Sequence, residues 1–324
     1  MNGAEGSDPA RNAPRPLKVS RGLVAVAIVA VMVPHVGAQT LRDTVAMTMR
    51  IPEDARVQRY AEYYAAARQR PWVREVMQRV WFYGGHILGQ VEDRNLPPEL
   101  IFLPVIESGY ESTAASPMGA VGLWQLMGRT AREHGLDTGG VVDERRDFWK
   151  ATEAALRILQ ANYDEHGSWE MALAAYNAGS GRVRAAVKRS GTDDFWELRE
   201  QGYLPRETRE YVPRYYGLLA ALRSLPEKEW PQLAGQPRWR RTAVPEGVEL
   251  RQLGERVGVP EGVLERANAE LRDGVTPAVG DREGYLIKVP NRYYERIGAV
   301  LSPDSRGGAA VAKLHPYVQV PSAH

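Results

Sequence analysis

Glu107 closes Leu100 to Ile106, the most apolar run beyond residue 38, and that position makes it the first candidate for chemistry. On a continuous helix Leu100, Leu103, Pro104 and Glu107 fall at i, i+3, i+4 and i+7, which puts the carboxyl on the stripe facing the interior. Partial desolvation disfavours the ionised form, and the negative end of a helix acts in the same direction. The expected result is a raised pKa, suited to a general acid working near neutrality. The plainer reading is a glutamate that caps a helix or pairs with a cation, and the helix alone leaves both open. Other chemistries find no residues. There is no G-x-S-x-G, no H-E-x-x-H, no phosphate-cradling G-x-x-x-x-G-K and no dinucleotide fingerprint. His86, His134, His166 and His315 lack ligand spacing, and a chain without cysteine has no thiolate to offer. Neither a metal nor a cofactor is expected.

Helices must position that carboxyl. From Arg56 to Gln90 the spacing of Val73, Val76, Met77 and Val80 predicts two helices, with breaks at Pro71 and Gly84-Gly85. Pro98 suits a first helical position and Glu99 the positive helix start, whereas Pro104 sits too deep and predicts a kink. Ala155, Leu156, Leu159 and Tyr163 form one stripe ending at Gly167, and Trp169 to Tyr176 repeats the pattern up to Gly179, so two further helices with glycine stops are expected. Nothing before residue 240 alternates with period two, which predicts an all-α region. Pro226, Pro231 and Pro237 then mark a linker between Leu225 and Val244. Beyond it, Leu250, Leu253 and Val257, then Val263 and Leu264, predict two short helices, and Tyr285 to Val289 a strand closed by Pro290. A unit of this size would be marginal alone.

The 324 residues are 44% hydrophobic and 25% charged, an ordinary globular composition long enough for two folded units. Arg11, Arg15, Lys18 and Arg21 precede the apolar run Leu23 to Val33, and small residues end at Ala38, the layout of an export signal. That run is too short to span a bilayer, which takes about 20 residues. Removing residues 1–38 would leave the basic and acidic residues equal in number, so nucleic acid is not an expected partner.

Several blocks then point one way. Leu96-Pro-Pro-Glu-Leu, Pro104-Val-Ile-Glu-Ser-Gly-Tyr110, Ser116, Gly119-Ala-Val-Gly-Leu-Trp-Gln-Leu-Met127, Ala174-Ala-Tyr-Asn-Ala-Gly179 and Glu207-Thr-Arg-Glu-Tyr211-Val resemble, in order and spacing, the lytic transglycosylases with a lysozyme-like domain. The match is closest to their membrane-bound type D subgroup. The resemblance implies a mainly α protein: an all-α lysozyme-like catalytic domain followed by a small α/β domain of βααβ, LysM-like type. The expected layout is an export signal over 1–38, a helical leader over 39–90 and the catalytic domain over 91–225. A linker over 226–243, the LysM-like module over 244–291 and a disordered C-terminal tail within 292–324 complete it. Relatives of this subgroup are often lipoproteins, and no lipobox cysteine is present to anchor this chain.

The resemblance also implies roles. Glycosidases usually flank the scissile bond with two carboxylates, yet here neither Glu111 nor Glu207 is marked as a partner. In the resembled family one glutamate, here Glu107, protonates the glycosidic oxygen between N-acetylmuramic acid and N-acetylglucosamine. It then acts as base on the muramic C6 hydroxyl, closing a 1,6-anhydro ring. Ser108, Ser116, Gln125, Met127, Tyr176 and Asn177 would contact substrate, with Gln125 and Ser116 bonding sugar or acetamido groups and Tyr176 over the cleavage point. Trp124, Met127 and Tyr176 equally suit a core. Glu207 would position or balance the acid, or else pair with Arg209 or Arg214. A hydrolytic muramidase and a non-catalytic wall scaffold are the competing readings, the intact Glu107, Gln125 and Tyr176-Asn177 set speaking against the scaffold. The expected partners are peptidoglycan glycan strands, with cell-wall synthesis or secretion machinery besides, and the expected form is a periplasmic monomer. In the LysM-like stretch Gly247-Val-Glu-Leu250 replaces the usual Gly-Asp-Thr-Leu, which leaves glycan binding there open.

Overall fold

A computed structural model describes residues 40–302, apart from 46, 68–70, 231–235 and 281–283. The expected export signal and residues 303–324 of the expected tail lie outside the described residues. Among the described residues the larger body is built mainly from nine helices of six residues or more and one tiny hairpin, after a single turn at Leu41–Thr44. In order they are α1 (Ala55–Ala67), α2 (Pro71–Glu92), α3 (Leu103–Ser108), β1 (Ala120–Val121), β2 (Leu126–Met127), α4 (Gly128–Glu133), α5 (Phe148–His166), α6 (Trp169–Ala178), α7 (Ser180–Ser190), α8 (Phe195–Glu200) and α9 (Arg206–Arg223).

The leader stretch is not a separate layer. Val57 from α1 and Val80, Tyr83 and Ile87 from α2 are buried in the same core as Leu103, Leu156, Leu173 and Tyr215. Helix α1 lies along α9 at Gly217, where an added Cβ would come within 2.3 Å of the Tyr60 Cβ, so only glycine permits this approach. Helix α2 runs unbroken through Gly84-Gly85, where a break was expected. Two helical glycines cost about 2 kcal/mol in propensity, which tertiary burial of Tyr83, Ile87 and Leu88 outweighs.

The expected kink at Pro104 is instead a change of helix type. Residues Pro98–Phe102 form a 3₁₀ turn, and α3 starts afresh at Leu103 with Pro104 in its first turn, where a missing N–H costs nothing. Glu99, expected to favour a helix start, is fully buried and accepts a 2.5 Å bond from the Met49 amide. Gly109 ends α3 at φ 61°, its amide bonding the Val105 carbonyl at 3.2 Å, so Glu107 falls in the last turn. The region is not purely α, since Ala120 pairs with Met127 and Val121 with Leu126.

A small unit follows: β3 (Trp239–Val244), α10 (Leu250–Val257), α11 (Val263–Ala267), β4 (Tyr285–Pro290) and α12 (Tyr294–Leu301), with β3 antiparallel to β4 in the register Trp239↔Pro290 to Val244↔Tyr285. Strand β3 occupies the stretch expected as linker, and α12 the start of the expected tail. Ile297 of α12 is fully buried with Val244, Leu253, Ile287 and Val289 in this unit's own core. Trp239 leaves that core for the larger one. Its ring stands 5.0 Å from Phe82 and 5.4 Å from Phe148, and its indole N–H donates to the Phe82 carbonyl at 3.3 Å.

A buried ionic cluster completes the join. Lys288 of β4, 1% exposed, donates to Asp147 at 2.9 Å and to the wholly buried Glu270. Arg272 reaches Asp143 at 3.1 Å, and the Asp143 amide donates to the Glu270 carbonyl at 3.0 Å. The small unit is therefore packed on the larger body rather than tethered to it.

Candidate active site

Glu107 sits where α3 meets α9. The Tyr211 hydroxyl donates directly to Glu107 Oε1, and Arg214, one turn further along α9, donates to the Ile106 carbonyl at 2.5 Å. Arg214 is itself held by the Tyr64 hydroxyl of α1 at 3.3 Å, so the leader supplies part of the site. Glu107 keeps part of its surface open, but protein surrounds it closely enough for desolvation to push its pKa from 4.5 to about 7. The bond from Tyr211 and the charge of Arg214 pull the other way, and the charge of Glu207 adds to the rise. Desolvation wins. At neutral pH such a carboxyl is divided between its two protonation states, which is what giving and then taking a proton requires.

Tyr176 stands near enough for the Glu107 charge to raise its own pKa further, beyond what burial does. Its hydroxyl is fixed by donating to the Trp124 carbonyl at 2.8 Å. Trp124 is entirely buried, its indole N–H bonding Thr152 Oγ1 at 2.8 Å, so of the two readings open for it the structure takes the core. Met127, by contrast, is 45% exposed.

The β1–β2 hairpin carries Gln125 in the left-handed region at φ 48°, a conformation that costs a non-glycine residue about 1 kcal/mol. Its side-chain amide holds the turn by donating to the Gly122 carbonyl at 2.9 Å. Gly122 has no alternative, because a Cβ there would lie 1.9 Å from the Arg145 carbonyl oxygen. Arg145 grips the same hairpin through the Gly119 carbonyl at 2.9 Å while pairing with Asp143 through two 2.8 Å contacts. Ser116 accepts from the Ala120 amide at 3.0 Å at the hairpin's mouth.

Two of the residues expected to touch substrate are committed elsewhere. The Ser108 hydroxyl donates to the Leu123 carbonyl at 2.9 Å and accepts from the Glu111 amide at 3.2 Å, tying α3 to the hairpin. Asn177 accepts from Thr208 Oγ1 at 2.7 Å and donates to Glu207 at 3.5 Å, tying α6 to α9. Glu207 is exposed, and its described bond is to Asn177 rather than to Arg209 or Arg214. From sequence Tyr211 was given no role of its own, and Arg214 only that of a possible partner for Glu207. Their signal was there, since Glu207, Tyr211 and Arg214 follow at i, i+4 and i+7 on one face of α9. Tyr64 had none.

Residues 89–199 match the family described as the transglycosylase SLT domain. The chain is 32% identical over 260 residues to the membrane-bound lytic murein transglycosylase D of Escherichia coli (strain K12), covering 78% of this chain and 55% of that protein. It is 36% identical over 117 residues to a putative tributyltin chloride resistance protein of Alteromonas sp. (strain M-1), covering 36% of this chain and 56% of that one. The chain thus spans about half the length of the curated relatives it matches. Among solved structures, an inactive mutant of lytic transglycosylase Slt from Pseudomonas aeruginosa aligns over 42% of this chain and 23% of its own, at 26% identity and a TM-score of 0.36.

Proposed function

From the match of residues 89–199 to the transglycosylase SLT domain we propose that the chain is a peptidoglycan lytic transglycosylase with Glu107 as its single acid and base. The observation that carries the reading is the closely enclosed Glu107 carboxyl, in the last turn of α3 and held by the Tyr211 hydroxyl, with desolvation raising its pKa. In the acid step the protonated carboxyl gives its proton to the glycosidic oxygen between N-acetylmuramic acid and N-acetylglucosamine, and the muramic C1–O bond breaks. In the base step the Glu107 carboxylate takes the proton of the muramic C6 hydroxyl, and O6 bonds C1 to close the 1,6-anhydro ring. No water is consumed, and Glu107 ends protonated as it began. Tyr211 stabilises the carboxylate between the steps, Gln125 and Ser116 offer polar groups to the sugar, and Met127 an apolar surface. We place the site of action at the cell wall, reached through the export signal read in residues 1–38.

Mass spectrometry of fragments released from purified peptidoglycan tests this. The expected fragments carry 1,6-anhydro ends and lack one water relative to hydrolytic products. Reducing-end muramic acid as the main product would make the protein a muramidase. Glu107→Gln is expected to fold and to lose on the order of 10²–10⁴-fold in turnover. More than a tenth of wild-type turnover would remove Glu107 from its role.

A further inference from the structure

A cavity of about 540 Å³ opens at the seam between α2 and the small unit, away from Glu107. Its size is that of a ligand pocket, and seams between packed units are where such pockets recur. The walls are stiff: Pro237, Pro260 and Pro290 contribute to them, and the seam is locked by Trp239 and the Lys288 cluster. The cavity is therefore preformed, which limits the ordering a ligand must bring about.

The lining is strongly cationic. Arg238, Arg266 and Arg292 face it against one carboxylate, Glu261, in a chain that is otherwise almost neutral. All three arginines are exposed. The Arg266 guanidinium is held over the Phe82 ring at 5.3 Å and that of Arg292 over Tyr293 at 4.8 Å, so both are positioned rather than loose. Gln236 adds a buried side-chain N–H₂ without a hydrogen-bond acceptor. Trp81 supplies an apolar wall. Planar guanidinium forks, an unused amide donor and an indole together select carboxylates on a short, partly apolar chain. Uncharged sugars would leave the arginines without counter-ions.

We infer that this cavity binds the carboxylate-bearing stem peptides of peptidoglycan, as a second substrate contact separate from the glycan cleft. The inference rests on the wall-polymer reading above. A wall polymer carries many stems, so the stem engaged need not be attached to the sugar being cut. The contact raises occupancy on the polymer through effective concentration and adds nothing on naked glycan.

The test uses the full chain and a free synthetic peptide, L-alanyl-γ-D-glutamyl-meso-diaminopimelic acid, followed by calorimetry or by amide shifts around Trp81. Binding is expected, weaker by about tenfold or more when the carboxylates are amidated, and weaker by a similar factor in the double variant Arg266→Gln/Arg292→Gln. Glu261→Gln is expected to tighten binding severalfold, a gain that misfolding cannot mimic. No binding at millimolar peptide, equal binding of the amidated peptide, unchanged binding in the arginine variant, or displacement by a chitin oligosaccharide would each overturn the proposal. Because free-peptide binding needs no turnover, it stands or falls apart from the transglycosylase reading: a chain that bound the peptide yet cut no glycan would fail only the latter.

Discussion

Lys288→Met removes the cation that Asp147 and Glu270 share in the seam. Asp147 keeps two other partners, the amides of Trp149 and Lys150 at the start of α5. Glu270 is wholly buried, its pKa already pushed up by desolvation, and loses its counter-ion. An unpaired buried charge costs about 3–5 kcal/mol. Taking up a proton offers a cheaper route, and the cost of that route depends on pH. From an ordinary value of 4.5, protonation at pH 7 costs about 3.4 kcal/mol at 1.36 kcal/mol per unit, and at pH 5 only about 0.7. A carboxyl whose folded pKa lies above its unfolded one weakens the fold as pH climbs from the unfolded value through the folded one. The wild-type carboxyl, already raised, bears part of that cost, so the variant is expected to lose at most about 3 kcal/mol at pH 7, a melting temperature no more than about 6–12 °C below wild type, and to come within about 3 °C of it at pH 5. Thermal unfolding by circular dichroism at the two pH values reads this directly. An equal loss at both would mean that methionine disrupts packing and that no charge was stranded. No loss at either would mean that the cluster does not join the two units.

Glu107→Gln is expected to melt higher than wild type at pH 8, by up to about 2 kcal/mol after screening at the open edge, and to match it at pH 4, because the raised carboxyl weakens the fold only as it ionises. The alkaline limb of kcat/KM is expected near pH 7, and Tyr211→Phe should move it up by about 1–2 units by removing a bond to the carboxylate; an unmoved limb would mean that Glu107 is not the titrating acid. Gly122→Ala should cost more than about 2 kcal/mol and reduce turnover, since its methyl meets the Arg145 backbone; unchanged melting would contradict that contact. Truncation after Arg238 should yield insoluble protein by removing Trp239 and uncovering Phe82 and Phe148, and a soluble, fully active truncation would show the seam to be dispensable.

Glu107 was legible because its burial is written in local spacing: an apolar run with one acid at its end. The helix stops at Gly167 and Gly179 were legible for the same reason, as each needs a single residue type at a single position. What was missed depends on partners distant in the chain. Gly84-Gly85 reads as a break until Ile101 and Gln236 are seen packed against it. Strand β3 reads as linker because Trp239-Arg-Arg-Thr-Ala-Val244 alternates poorly, its tryptophan being spent on another core. Lys288 reads as the solvent side of a strand, and nothing local announces two carboxylates contributed by residues 18 and 141 positions away. The hairpin around Gln125 pairs two residues on each side, too few to leave a period.

The position of Trp239 also sets an order of events for a chain made from its N-terminus. The pocket for its indole is lined by Phe82 and Phe148, finished long before residue 239 exists. The strand that pairs with Trp239 starts 46 residues later still, at Tyr285. Until both have emerged, the larger body carries an aromatic hollow with no occupant, at a stage when contacts of such long sequence separation form slowly. The nascent protein is therefore most prone to association with its neighbours late in synthesis, after the residues of its reaction centre are in place. A chaperone that engaged this chain would find its binding surface there, on the flank that the small unit later closes.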